Sequence, residues 1–410
     1  MSGIAEVVII GAGQAGIQTA QALRKRGYEG AITLLGNEGY PPYQRPPLSK
    51  AFLKGEMDEA RLSFKPEKFF VDQDIGQQFA NAATAINTDE KRVVCSDGTA
   101  FGYDRLIIAT GATPVVLPIP GAVLPGVFTL RSLDDSKGIR ASLRGASRLI
   151  VIGGGYIGLE AASAARQMGL DVSVIERLPR LLSRVTSPPV SDFYLGLHRE
   201  RGVDVRLNES VAEIKGAQSV TGIRLASGEA IPADVVLVGV GVRPNEELAV
   251  AAGIDCEDGI LIDRHCRTSN EHVYAAGDCA RSALADGTTL RLESVHNALV
   301  QGDQIAAHIV DAEAPPFDPP WFWSDQYEVK LQTVGLFDDY DDVLVRGDVA
   351  ANKFAALYFQ DDQLIALDAI NDPASFMAGK QILKRGIAVS REAAADPAIP
   401  LKELVPHPTR

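Results

Sequence analysis

The chain has 410 residues, which is too long for one ordinary hydrophobic core and predicts two or three domains. Its 40 basic and 53 acidic residues give a formal charge of −13, which argues against a general binder of nucleic acid or of anionic membranes. No apolar run approaches the roughly 20 residues that span a bilayer, and the N-terminus lacks the basic start of a signal peptide, so we expect a cytoplasmic protein.

Residues 6–36 form the first predicted unit, which is a strand, a glycine-rich turn, a helix and a second strand. The turn has glycines with separate tasks: Gly11 allows a tight turn, Gly13 lets the backbone approach a phosphate, and Gly16 packs the helix closely on the strand. A single pattern of this kind is weak evidence. It nevertheless predicts a dinucleotide-binding βαβ unit.

Two further apolar strands end in turns of small residues. They read "YDRLIIATGATP" at 103–114 and "HVYAAGDCA" at 272–280. In a doubly wound sheet, ligands bind at strand ends of this kind. Asp278 follows Gly277 in the second turn, where its carboxylate can accept hydrogen bonds from ligand hydroxyls.

Residues 148–176 repeat the strand, glycine turn, helix and strand, with Gly153, Gly155 and Gly158 in the turn. Two such units in one chain are strong evidence for two dinucleotides. Glu176 ends the second strand of this unit, where an acidic residue binds ribose hydroxyls. The second unit is therefore predicted to bind NADH in preference to NADPH, although Arg177 beside Glu176 does not fit this pattern.

The partner of the ribose is less clear in the first unit, whose second strand ends in Gly36 and is followed by Asn37 and Glu38. Two fingerprints suggest one resident and one exchanging dinucleotide. FAD and NADH are the natural pair, because a flavin accepts a hydride and can return electrons singly.

The sequence pattern changes from about residue 321 to aromatic and mixed segments. The segments "WFWSDQYEVKLQTVGLF" and "KFAALYFQDDQLIALDAI" predict antiparallel strands, and "ASFMAGKQILKRG" predicts a late helix packed on them. The proline-rich stretch "EAPPFDPPW" marks the boundary before this third domain.

Cysteine and histidine give no metal or dithiol pattern. The four cysteines have no C-x-x-C spacing and are expected to be reduced and mostly buried: Cys95, Cys256, Cys266 and Cys279. The histidines also lack a convincing ligand spacing: His198, His265, His272, His296, His308 and His407. We therefore predict that the chain has no metal site.

Several motifs together carry a resemblance that covers essentially the whole chain. They are the two fingerprints, the "ATG" and "AAGD" turns, "YPPYQRPPLSK" at 40–50, "VTSPPVSDFY" at 185–194 and "WFWSDQY" at 321–327. With these motifs the chain resembles the putidaredoxin reductase type of NADH-dependent ferredoxin reductase. That family serves cytochrome P-450 and aromatic-ring dioxygenase systems.

The resemblance implies an α/β fold with two Rossmann-like nucleotide-binding domains, as in glutathione reductase, and a C-terminal α+β domain. Residues 1–113 and 247–320 are expected to form the FAD domain, 114–246 the NAD domain and 321–410 the C-terminal domain. The implied partner is a 2Fe-2S ferredoxin that accepts electrons. A monomer or weak dimer is expected, without nucleic acid or membrane.

The expected FAD-binding residues combine the first fingerprint with the motifs of the family. They are Gly11, Gly13, Ala15, Gly16, Asn37, Glu38, Arg45, Pro46, Lys50, Ala83, Ala109, Thr110, Gly111, Arg131, Gly277, Asp278, Val295 and His296. The expected NADH-binding residues come from the second fingerprint and its surroundings. They are Gly153, Gly155, Tyr156, Ile157, Gly158, Glu160, Glu176, Arg184 and Gly241.

Three residues are implied to be catalytic. The resemblance places Lys50 close to the flavin ring, and Glu160 and Trp323 beside the nicotinamide. Lys50 and Glu160 are expected to be neighbours although they are far apart in sequence. A lysine with a nearby carboxylate can stabilise negative charge on a reduced flavin, and an aromatic plane can stack on a nicotinamide.

Other readings stay open. A rubredoxin reductase or another NADH-dependent flavoprotein reductase fits the same motifs. Disulfide and peroxide reductases share the architecture, but they need a cysteine at the flavin, and "YPPYQRPPLSK" contains none. A redox-signalling flavoprotein of the apoptosis-inducing-factor kind would share the lysine and glutamate, but it typically has targeting segments and long insertions.

Overall fold

The computed structural model describes residues 4–284 and 287–406, so His407 lies outside the described residues. The helices of the described part are α1 (Gln14–Lys25), α2 (Ala51–Lys54), α3 (Glu67–Asp72), α4 (Leu133–Leu143), α5 (Tyr156–Gln167), α6 (Pro188–Glu200), α7 (Glu247–Ala251), α8 (Val295–Ile309), α9 (Pro373–Arg385) and α10 (Arg391–Ala395).

The strands are β1 (Glu6–Ile10), β2 (Ala31–Leu35), β3 (Ile75–Gln78), β4 (Ala83–Asn87), β5 (Arg92–Cys95), β6 (Ala100–Gly102), β7 (Arg105–Ile108), β8 (Ala112–Pro114), β9 (Val127–Phe128), β10 (Arg148–Ile152), β11 (Asp171–Ile175), β12 (Asp204–Arg206), β13 (Val211–Gly216), β14 (Val220–Leu225), β15 (Ala230–Pro232), β16 (Val235–Val238), β17 (Val242–Pro244), β18 (Ile260–Ile262), β19 (Val273–Ala275), β20 (Ala280–Ala283), β21 (Thr289–Leu290), β22 (Trp321–Gln326), β23 (Val329–Gly335), β24 (Asp342–Asp348), β25 (Lys353–Gln360) and β26 (Gln363–Ile370).

Two compact units make up the chain. The first unit contains residues up to Gln44 together with Glu59–Thr113 and Val242–Pro316. The second contains Arg45–Asp58, Pro114–Gly241 and the chain from Phe317 onward. The segment Arg45–Asp58 thus groups with the second unit, although it lies inside the range 1–113 of the expected FAD domain. The division into three domains stays a prediction.

A parallel sheet with the strand order β19-β7-β1-β2-β3 forms the centre of the first unit. Strands β19, β7, β1 and β2 are apolar almost throughout, because a parallel sheet with both faces covered buries most of their positions, whereas β3 at the edge is polar and partly exposed. Helices α1 and α8 pack against each other beside it. Since β1, β7 and β19 are parallel neighbours, the turns that follow them meet at one edge, and these are the turns of Gly11, Gly111 and Gly277.

The second unit has a parallel sheet in the order β12-β11-β10-β16-β9, with α5 packed on β10 and β11. It also contains the C-terminal sheet, which is antiparallel in the order β22-β23-β26-β25-β24 and is covered by α9. The α/β fold class is confirmed, including the antiparallel strands and late helix expected after residue 321. No helix in the described ranges is both long and apolar enough to cross a bilayer.

Candidate active site

The first glycine turn has the geometry that its sequence predicts. A Cβ atom on Gly11, whose φ is +117°, would lie 2.0 Å from the carbonyl oxygen of Ala109, and one on Gly16 would lie 1.9 Å from that of Gly11. A Cβ on Gly13 would meet no atom of the described residues within 4 Å, apart from its chain neighbours. Gly11 and Gly16 are therefore required by packing, whereas Gly13 leaves space for a ligand at the backbone.

The helices that follow the two glycine turns begin differently from several others. Ser132, Ser294 and Asp372 accept hydrogen bonds from backbone N–H groups at the starts of α4, α8 and α9. Among the described residues, α1 and α5 have glycine N-caps, no side-chain cap and no acidic residue in the first turn. Their N-terminal N–H groups can bind an anion. Both turns therefore fit a dinucleotide pyrophosphate.

Two polar residues that the sequence patterns did not indicate fix the neighbouring turns of the first unit. The Asn245 side-chain amide donates to the Thr110 carbonyl over 2.9 Å, and the Thr110 hydroxyl donates to the Asn245 carbonyl over 2.7 Å. The Gln301 side-chain oxygen accepts from the Gly277 N–H over 2.7 Å. Their roles became visible only in the fold, because each contact joins distant parts of the chain.

The other predicted FAD residues of the first unit lie on several elements. Ala15 is buried in α1, 3.2 Å from where a Cβ on Gly277 would lie. Glu38 accepts from the Tyr43 hydroxyl over 2.6 Å, and Asn37 beside it is exposed. The remaining ones are Ala83 in β4, Ala109 after β7, Asp278 after Gly277, and Val295 with the buried His296 at the start of α8.

Arg45, Pro46 and Arg131 belong to the second unit. The Arg45 guanidinium donates to the Arg131 carbonyl over 2.8 Å, and the Lys50 ammonium donates to the Pro46 carbonyl over 3.2 Å. A short 3₁₀ turn over Pro46–Ser49 brings Lys50 back to Pro46, because the prolines at its start favour the required φ. Their contact with FAD stays a prediction.

The second glycine turn repeats the geometry of the first. A Cβ on Gly153 would lie 2.4 Å from the Gly239 carbonyl oxygen, and one on Gly158 would lie 2.3 Å from that of Gly153. A Cβ on Gly155 would meet no described atom within 4 Å beyond the adjoining chain. Tyr156 and the exposed Ile157 open α5 directly after this turn.

The Glu176 carboxylate is held by backbone donors beside this turn. Its Oε2 accepts from the Gly154 N–H over 2.7 Å, and its Oε1 accepts from the Leu178 N–H over 2.7 Å. Each oxygen keeps a further lone pair for a ribose hydroxyl. The two backbone contacts also hold the negative charge in place, where it would repel the 2′-phosphate of NADPH.

Arg184 lies beside Gly241 in the same unit. Its guanidinium donates to the Val240 carbonyl over 3.4 Å, and a Cβ on Gly241 would lie 3.5 Å from Nη2. Gly241 has a φ of +121°, which a residue with a side chain rarely adopts. The two predicted residues are therefore neighbours, and their contact with NADH stays a prediction.

Lys50 and Glu160 are neighbours, as expected. Lys50 Nζ lies 2.7 Å from Glu160 Oε2, and the Glu160 side chain is only 5% exposed. Two serines that the sequence patterns did not indicate complete the site, because Ser49 donates to Oε2 over 2.5 Å and Ser324 donates to Oε1 over 2.7 Å. A buried carboxylate thus has one cation and two hydroxyl donors.

Trp323 is the third residue that was predicted to be catalytic. It lies in β22, and its ring centroid is 5.6 Å from that of Trp321. Successive side chains on a strand point to opposite faces, so the Trp323 ring is on the face of β22 opposite to Ser324. Ser324 faces Glu160, so the Trp323 ring lies on the side of the strand away from Glu160. Of the three predicted catalytic residues, the structure brings only Lys50 and Glu160 into contact. Its contact with the nicotinamide stays a prediction.

The thiols are not prepared for redox chemistry. All four cysteines are free, and Cys95, Cys266 and Cys279 are buried, as expected. Burial raises the pKa of Cys256 to about 11 and also raises the pKa of the three buried thiols. A reactive cysteine needs a thiolate, so these side chains are poor nucleophiles. No group of three or more potential metal ligands occurs within residues 4–284 and 287–406.

Comparisons with known proteins agree with this geometry. The family model described as pyridine nucleotide-disulphide oxidoreductase matches residues 5–302, and the model described as reductase C-terminal matches residues 321–405. These matches define the class as a two-nucleotide flavoprotein reductase. The chain belongs to this family and, within it, to the putidaredoxin reductase type.

Individual relatives match this protein over most of its length. Putidaredoxin reductase from Pseudomonas putida is 42% identical over 407 residues, with 97% of this chain and 96% of the relative covered. A rubredoxin–NAD(+) reductase from the same species is 40% identical, with 90% and 96% covered. The solved covalent complex of putidaredoxin reductase with putidaredoxin matches with a TM-score of 0.95 and 41% identity, covering 98% of both chains.

Proposed function

We propose that the chain is an FAD-dependent NADH:ferredoxin oxidoreductase. It takes a hydride from NADH and passes electrons singly to a 2Fe-2S ferredoxin that feeds a cytochrome P-450 or a ring-hydroxylating dioxygenase. Family membership and the putidaredoxin complex of a close relative support this function. The protein is proposed to act in the cytoplasm as a monomer or weak dimer, without nucleic acid or membrane.

The observation that carries the proposal is the ion pair between Lys50 and Glu160, which lies on the helix that begins at the second fingerprint. In a disulfide reductase, cysteine would have to accept electrons from the flavin. Here the proposed site has a lysine ammonium and a carboxylate, and burial disfavours the thiolate of each cysteine. The pair can stabilise charge, and the thiols are poorly suited to a relay, so we expect direct transfer from NADH to the flavin.

The two dinucleotides are assigned to the two glycine turns. FAD, when bound, supplies hydride acceptance and one-electron release. Gly11, Gly13 and the N-terminus of α1 are proposed to hold its pyrophosphate, because Gly13 leaves open space there. Gly153, Gly155 and the N-terminus of α5 are proposed to hold NADH in the same way.

Several side chains then act on NADH. Glu176 accepts hydrogen bonds from the ribose hydroxyls, and the position of its carboxylate disfavours NADPH. Glu160 lies one turn into α5, which is the helix that binds the pyrophosphate, so it is within the same unit as the rest of the NADH site. Lys50 presents its ammonium group at Glu160 Oε2 and supplies positive charge to the reaction.

A rubredoxin reductase is the second candidate, because a rubredoxin–NAD(+) reductase is 40% identical to the chain. A panel assay separates the two functions. Purified protein with FAD and NADH is offered 2Fe-2S ferredoxins, rubredoxins and a disulfide substrate. We expect fast reduction of at least one ferredoxin and no disulfide turnover.

A variant in which all four cysteines are replaced by serine or alanine serves as the control. Once it is shown to be folded, it should transfer electrons from NADH to ferredoxin at nearly the rate of the original protein. Loss of flavin reduction in this variant would contradict direct transfer. A preference for rubredoxin over every ferredoxin would favour the second candidate.

A further inference from the structure

A chain of hydrogen-bonded side chains lies behind Glu160, inside the second unit. Ser324 Oγ is 2.7 Å from Glu160 Oε1, and Gln326 Nε2 is 3.3 Å from Ser324 Oγ. Gln326 Oε1 is 2.8 Å from His198 Nε2, and His198 Nδ1 is 3.4 Å from the Tyr327 hydroxyl. The side chains of Ser324, Gln326 and His198 are fully buried. These hydrogen-bonded side chains therefore link α6 and β22 to the carboxylate on α5.

The carboxylate determines the direction of every donor in this chain. An ionised Glu160 can only accept, so the single Ser324 proton must point to Oε1. Ser324 must then accept from the Gln326 amide nitrogen, which turns the amide oxygen towards His198. His198 must therefore carry its proton on Nε2 and accept from Tyr327 on Nδ1.

The protonation state of His198 agrees with this direction. Burial lowers the pKa of His198 to about 4, so the ring is neutral at pH 7 and carries one proton. A neutral ring with a donor on Nε2 and an acceptor on Nδ1 satisfies both of its contacts. Hydrogen bonds aligned in this way polarise one another and strengthen the last donor, which is the Ser324 hydroxyl.

The hydrogen-bonded side chains do not move protons between Glu160 and His198. Gln326 stands between them, and a primary amide donates through nitrogen and accepts through oxygen without passing the proton on. The contribution of the chain is therefore geometric. It holds Oε1 while Ser49 and Lys50 hold Oε2, so that the carboxylate cannot rotate and Oε2 stays at the lysine.

We propose that Ser324, Gln326 and His198 are positioning residues that align the Glu160 carboxylate with Lys50 during NADH oxidation. This inference rests on the proposed function. Loss of these hydrogen bonds should slow flavin reduction without weakening NADH binding, because the glycine turn and Glu176 do not take part in them. Loss of either kind of residue lowers stability, but a purely structural role would leave the reduction rate unchanged.

The kinetic test uses the FAD-loaded protein in single-turnover experiments with NADH. We expect Ser324→Ala to slow flavin reduction by about tenfold, which is the size of one hydrogen bond to a charged group, and Gln326→Met to slow it by a smaller factor, because Gln326 bonds Ser324 and not Glu160. The dissociation constant of NADH should stay within about twofold, because the pyrophosphate and ribose contacts remain. Ser324→Thr keeps the hydroxyl and should restore most of the rate.

Tyr358→Phe is the matched control. It also removes a buried hydroxyl donor to a carboxylate in the second unit, because Tyr358 donates to Asp368 over 2.6 Å. It should lower the unfolding temperature in the same way as Gln326→Met, while the flavin reduction rate stays at the value of the original protein. Equal reduction rates in Ser324→Ala, Gln326→Met and Tyr358→Phe would overturn the positioning role.

A second readout does not depend on activity. Nitrogen-15 NMR of the histidine rings should show His198 as the neutral Nε2–H tautomer at neutral pH. Finding the Nδ1–H tautomer or a protonated ring would contradict the donor direction, and with it the inference. A failure of NADH to reduce the original protein at all would contradict the proposed function itself, which is a different result from unaffected variants of a reducible protein.

Discussion

Two buried carboxylates in the second unit are held in different ways. Glu160 is 5% exposed and has the ammonium of Lys50 at 2.7 Å, and the Lys50 side chain is itself 18% exposed. Asp368 is 0% exposed and is held by three hydroxyls: Thr333 donates to Oδ1 over 2.5 Å, and Thr186 and Tyr358 donate to Oδ2 over 2.5 and 2.6 Å. The Glu160 carboxylate is paired with a partly exposed cation, whereas the Asp368 carboxylate is completely buried.

The difference separates the carboxylate that is proposed to act in catalysis from one whose contacts are structural. Burial raises the pKa of Asp368, because hydroxyl donors only partly replace the water that the charged form loses. Its contacts join Thr186, just before α6, to Thr333 and Tyr358 in the C-terminal sheet, so it ties two parts of the unit together. Glu160 instead forms an ion pair with a partly exposed lysine, whose ammonium group can also interact with a ligand.

The largest effect is expected from removing the cation of the first carboxylate. Lys50→Met leaves Glu160 buried without its counter-ion and should lower the free energy of unfolding by about 3 kcal/mol, since a broken buried pair costs this much. Flavin reduction by NADH should fall with it. Urea unfolding and stopped-flow reduction measure the two effects.

The double variant with Glu160→Gln provides the control for Lys50→Met. Removing both charges should recover part of the lost stability, because no uncompensated charge remains. The two single effects are therefore expected to be non-additive. Additive and small effects on both stability and reduction rate would show that the pair has no special role.

A third carboxylate sharpens the comparison, because Glu176 is held by two backbone N–H groups and is expected to face the ribose. Glu176→Ala should reduce the preference for NADH over NADPH by roughly a hundredfold, as one charge repulsion and one hydrogen bond are lost. The ratio of kcat/KM values measures this preference. Glu200→Ala, at an exposed glutamate in the same unit, should leave the ratio unchanged. Equal kcat/KM values in the original protein would refute the assignment.

The hydroxyl-bound carboxylate should respond in stability and not in catalysis. Tyr358→Phe removes one of three donors to Asp368 and should lower the free energy of unfolding by about 1–3 kcal/mol. Electron transfer from NADH to ferredoxin should stay unchanged, because Glu160 and Lys50 keep all their partners. A reduced rate of flavin reduction in a fully folded Tyr358→Phe protein would break the distinction between the two carboxylates.

The smallest effect is a change in pH dependence. Because the pKa of Asp368 is raised in the folded protein, this group stabilises the fold fully below its unfolded value near 3.8, and the stabilisation is lost as pH rises through the folded pKa. Asp368→Asn has no such titration. The stability advantage of the original protein over Asp368→Asn should therefore shrink as pH rises above 3.8. Urea unfolding at several pH values measures it, and an advantage that grows with pH would have the wrong sign.

The amino-acid sequence alone predicted the parts of this protein that depend on local chemistry. Gly11 and Gly153 need positive φ within a few residues of a strand end, so both dinucleotide turns and the α/β fold class could be predicted. The antiparallel strands after residue 321 were also predicted, because a strand pattern is a property of short segments. The adjacency of Lys50 and Glu160 was expected through resemblance to a family.

Only the tertiary structure decided which polar side chains meet. Ser324, Gln326 and His198 reach Glu160 from two elements, and Asp368 was part of an apolar strand pattern with no sign of its three donors. A serine, glutamine or histidine in a sequence has many potential partners, since a hydrogen bond acts over about 3 Å between residues at any separation along the chain. The partner is determined only when packing buries both groups, because a buried polar group must then find a donor or acceptor.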